Sequence, residues 1–160
     1  MIIETEEALV NQLATGLGPL GLKVEAFPDR PEDYVFSHPV GVALVRYHES
    51  PYAKPDRTDY VIQNRDLQFE ITIMVRNLRK HQGLYPVLEA TRAVLQGFRS
   101  PKSRAATYMV SERFLEQKDG VWKYAVLVTV PTVAVQVATV GDLPGPPLVV
   151  TATEDVALVP

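Results

Sequence analysis

The chain has 160 residues, no cysteine, 46% hydrophobic and 22% charged residues, and a formal net charge of −3. That length fits one soluble domain able to bury a core without staples, and the missing cysteines exclude disulfides, thiolate metal sites and cysteine nucleophiles. The mildly acidic balance argues against direct nucleic-acid binding, which needs a basic face. The acid-rich start Met1-Ile2-Ile3-Glu4-Thr5-Glu6-Glu7 is unlike a secretory signal, and no apolar run approaches the ~20 residues of a membrane span.

The first expected element is a helix over residues 4–17. Leu9, Val10, Leu13, Ala14 and Leu17 recur at steps of three and four, and the acids of the first turn suit the helix dipole. Gly16, Gly18 and Pro19 end it. A short strand follows at 22–27, then a loop at 28–33. Residues 39–47 read as a central strand, because Val40, Val42 and Leu44 alternate with Ala43 and Val45 and leave both faces apolar. Residues 48–60, HESPYAKPDRTDY, hold two prolines and no periodicity, which marks a long excursion between strands. Residues 61–76 form the clearest strand, with Leu67, Phe69, Ile71, Ile73 and Val75 on one face and Gln68, Glu70, Thr72 and Met74 on the other.

A second helix is expected over 83–98, striped by Leu84, Val87, Leu88, Thr91, Val94, Leu95 and Phe98, with Pro86 tolerated in its first turn. A hairpin follows, 108–117 and 121–135, turned at Lys118-Asp119-Gly120, and Pro131 should bulge or end its pairing. Ile71 and Leu127 are expected in the core. The stretch 141–147, GDLPGPP, then breaks the chain. Residues 1–140 therefore read as one α+β domain, a mainly antiparallel sheet of about four to six strands with two helices packed on it. Residues 141–160 read as a Pro/Gly-rich extension. Its strand-like piece, Leu148, Val149 and Val150, either adds to a neighbouring subunit's sheet or stays with its own domain as a packed or mobile tail.

No catalytic, metal or cofactor site is expected. His38, His48 and His81 stand apart, at no ligand spacing, and read as structural or solvated. Gly16 to Gly21 superficially suggests a phosphate loop but precedes the first strand, so it reads as a helix stop. The acids Glu6/Glu7 and Asp29/Glu32/Asp33 lack the apolar cleft that would split their pKa values. The loop residues Tyr52, Lys54, Asp56, Arg57 and Asp59 read either as a solvated turn or as a protruding contact loop whose charges meet partner subunits.

The order of elements resembles the tail terminator proteins of long-tailed phages, and most the Mu-like contractile group. The stretches Phe69-Glu70-Ile71-Thr72-Ile73, Leu84-Tyr85-Pro86-Val87-Leu88-Glu89 and Trp122-Lys123-Tyr124-Ala125-Val126 add to the resemblance, which covers residues 3–137. It implies a non-enzymatic virion protein forming a homohexameric ring at the head-proximal end of the tail. Such a ring caps the tail tube, touches the last sheath layer and joins the neck, while DNA passes through its lumen without specific binding. It would sit in the virion and assemble in the host cytoplasm, and 51–60 would be the loop facing lumen or tube. The other readings are a neck or head–tail connector protein and a cytosolic non-enzymatic adaptor domain. A small enzyme would need a pocket with perturbed titratable groups, and the sequence nominates none.

Overall fold

The computed structural model describes residues 1–57 and 59–137. The extension at 141–160, with Leu148, Val149 and Val150, lies outside them. The elements in chain order are α1 (Ile2–Leu17), β1 (Lys23–Ala26), β2 (Gly41–Glu49), β3 (Ile62–Val75), α2 (Leu84–Leu95), β4 (Tyr108–Lys118) and β5 (Val121–Val135). The strands form one sheet in the order β1-β2-β3-β5-β4. Every pairing is antiparallel except β1 with β2. The fold class is therefore α+β, with two helices and five strands.

Both helices cover one face of the sheet. Leu9, Leu13 and Leu17 from α1 and Leu84, Val87 and Leu95 from α2 are fully buried against Val45, Phe69, Ile71, Ile73, Val126 and Val128. The helices touch where Gly16 meets Val94. A Cβ there would stand 2.6 Å from a Val94 methyl, so the glycine sets the approach. Gln12 Nε2 also donates to the Val94 carbonyl at 2.9 Å.

The parallel β1–β2 pair needs a crossover, and residues 27–40 supply it as a strap with only a short 3-10 turn at Pro31–Asp33. Its aromatic residues Phe27, Tyr34 and Phe36 pack on Val42, Leu44, Met74 and Val121, a second small core on the opposite face. That is why Val42 to Val45 are buried on both sides, as the doubly apolar pattern requires. His38 serves the same strap, its Nδ1 accepting the N–H groups of Val40 and Gly41.

Three expectations need correcting. The second helix stops at Leu95, because Gln96 is extended and Gly97 takes φ +90; Phe98 lies in the turn beyond, where its carbonyl accepts from Thr107 N–H. Pro131 neither bulges nor ends β5, which runs on to Val135. The Pro131 carbonyl accepts from Arg104 N–H, and Asp66, its partner on β3, turns its own N–H toward Pro51. Pro131 thus points its backbone groups beyond the start of β4, where no ladder donor is missed. Leu127 is not in the core. It opposes Glu70 on the face away from the helices and is only partly buried. The turn at Asp119 and Gly120 is as expected, both with positive φ, the two-residue loop that suits strand twist.

Candidate assembly surface

The loop between β2 and β3 is anchored at its base and open at its tip. Pro51 O accepts from Asp66 N–H and Ala53 N–H donates to Asn64 O, so the outgoing chain runs back along β3. Tyr52 forms a bridge with Arg65, whose guanidinium lies 5.5 Å from the Tyr52 ring centroid. On the return side, Tyr60 Oη donates to Gln136 O and Val61 N–H to Gln136 Oε1, which ties the loop to the end of β5.

Of the five loop residues nominated from the sequence, Lys54, Asp56 and Arg57 come together around a shallow pocket of about 310 Å³. Ala53, Tyr60, Ile62 and Asn64 complete its walls. Tyr52 stands at the base on Arg65, and Asp59 is exposed outside the pocket lining. The three charged residues make no ion pair with one another among the described residues. The loop thus presents exposed charges of both signs on an anchored base. Near the same end of the sheet, Ile62, Tyr108, Val110 and Val135 are exposed apolar residues.

Sequence reading missed a second feature, on the face away from the helices. Glu70 is only 5% exposed there. Its Oε1 accepts from Arg46 Nη2 at 2.7 Å and from Nε at 3.1 Å, and its Oε2 accepts from Arg113 Nη2 at 3.3 Å. Burial pushes the Glu70 carboxyl up, but the hydrogen bonds and charges of Arg46 and then Arg113 outweigh it and hold the pKa below the usual value. The cluster ties β2, β3 and β4 across the sheet. Its only sequence signal is one acid in an alternating strand; the partners 24 and 43 residues away follow from register.

Among the described residues no group of three or more His, Cys, Asp and Glu stands together as metal ligands do. No helix among them is long and apolar enough to cross a membrane. The sequence pattern of a family described as Gp37 protein matches residues 9–154. The chain belongs to the Gp37 protein family. The match takes in the second half of α1, all of α2, the whole sheet, the loop at 50–61 and most of the extension beyond Gly141. No curated protein matches this Gp37 family member in sequence. Among solved structures, its fold is similar to a chain of the virion of a native gene transfer agent (GTA) particle. The TM-score is 0.50 at 11% identity, covering 83% of this chain and 98% of that chain. That likeness is one of fold.

Proposed function

We propose that the chain is a non-enzymatic structural protein of a phage-type virion, and within it a tail terminator. The observation that carries the reading is the fold shared with almost the whole length of a gene transfer agent virion chain. Membership of the Gp37 family supports it. In this reading residues 1–140 build a homohexameric ring at the head-proximal end of the tail, and 141–160 extend from it. One face of the ring stops tail-tube growth and meets the last sheath layer, and the other receives the neck.

The geometry suits such a role. The two sheet edges are unlike, a four-residue parallel strand at one side and an eleven-residue antiparallel strand at the other. Unlike edges favour head-to-tail contacts, which close into rings and leave two different faces for two different partners. The anchored loop with Lys54, Asp56, Arg57 and Asp59 is the contact element for tube or lumen. The net charge of −3 lets DNA slide past without sticking.

Purified protein added to growing tail tubes tests the reading. Tubes should stop lengthening and carry a ring at one end in negative stain. Tubes that grow unchanged, or protein that binds only a portal-side connector, would overturn it.

A further inference from the structure

Strand β4 forms the far edge of the sheet, and its outer side has no partner among the described residues. Tyr108, Val110, Phe114 and Leu115 are 37–52% exposed along it. A long edge with uncovered apolar side chains is a template for another strand. Its pairing with β5 slips twice, between Met109 and Ser111 and between Phe114 and Glu116. Such bulges blunt an edge, and between them they leave residues 111–114 as its longest stretch in unbroken register.

The charges of that window select its partner. A two-fold antiparallel pairing with β4 of a second copy, each face kept continuous, opposes like with like. Centred on Glu112 it sets two glutamates together, and centred on Arg113 two arginines. The window therefore favours an unlike, uncharged strand. The chain carries one at residues 148–151, Leu-Val-Val-Thr, the same length as the window and rich in β-branched residues. Family membership reaches it, since the matched residues run to 154.

The route favours a neighbour over the strand's own sheet. The described chain ends beyond β5, where Gln136 N–H donates to Val61 O. Its own window lies back along β5, because Ser111 faces Leu127. To reach it the chain would have to turn back within residues 138–147, a stretch whose sequence holds Pro144, Pro146 and Pro147, and proline-rich sequences disfavour tight reversal. A copy seated beyond the end of β5 would offer its window without that turn. We infer that residues 148–151 of one copy add as a strand to residues 111–114 of β4 in the next. This rests on the homo-oligomer of the proposed function and is independent of tail capping.

The absence of native cysteine makes thiol cross-linking of the full-length chain clean. Val149→Cys protein, carrying one tag, is mixed under mild oxidation with differently tagged protein bearing Ser111→Cys, Glu112→Cys, Arg113→Cys or Phe114→Cys. At least one pair should give a two-tag species of twice 17.8 kDa, and Asp119→Cys at the hairpin tip should give none. The matching double variant should form a ladder of linked copies. No product in any of the four registers, or only a monomer closed on itself, would overturn the inference. Val149→Asp in the full chain should lower the oligomer mass and leave the melting temperature of the dissociated chain unchanged; an unchanged oligomer mass would also overturn it. Cross-links without tube capping would sink the terminator reading alone, and capping without cross-links would sink this one alone.

Discussion

Glu70 stands where an alternating strand puts a solvent-facing side chain, yet it is buried between two arginines. Its value to the fold is a pH-dependent one. The folded-state pKa is depressed below 4.5, so the stabilisation is present above pH 4.5 and is lost as pH falls through the lower folded value. Glu70→Gln keeps the shape and removes the charge. It should cost about 1–2 kcal/mol at neutral pH, because hydrogen bonds to a charged group are worth up to ~3 but both arginines are half-exposed. The gap between wild type and variant in urea unfolding should close below pH 4.5. A gap that stays constant down to acid would show that the charge does not matter. Individual residues were legible in the sequence where one face of one element determined them, as with Leu9, Leu13, Phe69 and Ile71. The Arg46, Glu70 and Arg113 cluster was not, because it depends on how three strands are registered.

At the level of elements, both helices and all five strands follow from periodicity and turn chemistry, since apolar spacing reports directly on a buried face. The parallel setting of β1 was not legible: four residues do not encode their partner, and only the packed strap at 27–40 fixes it. The end of α2 was misplaced because Phe98 keeps the helical stripe past the point where Gly97 turns the backbone. The two faces of the sheet now separate two substitutions that sequence alone treats as equals. Ile71→Asp puts an unpaired charge among fully buried side chains and should cost more than about 4 kcal/mol, enough to unfold the domain. Leu127→Asp, on the other face and only partly buried, should cost about 1–2 kcal/mol and leave a cooperative melt. Thermal unfolding of the pair checks this; equal loss in both would contradict the two-face assignment. The loop is separable in the same way. Deleting residues 54–59 spares the Tyr52–Arg65 bridge and should shift stability by less than about 1 kcal/mol. In the proposed role it should abolish tube binding in a co-sedimentation assay. Full binding by the deletion would remove the loop from the functional surface.

For the whole molecule, the parts share one design: a core closed on one face by two helices, and a sheet whose two edges differ. Charged groups gather on an anchored loop, and exposed apolar residues gather along β4. Among the described residues the eleven-residue edge strand has no outer partner, and in the proposed assembly a neighbouring copy would cover it. The fold class was legible in the sequence because element order survives without any motif. The proposed assembly has only a resemblance behind it in the sequence, because contacts between copies would leave no periodic trace in one chain. The central claim, that this chain works by closing into a ring, is tested most directly by the mass of the purified protein in solution. Light scattering over a wide concentration range, with negative-stain images of the same samples and with tail tubes added, should give a species near six times 17.8 kDa and ring-shaped particles. A monomer at every concentration, with no ring on added tubes, would contradict it.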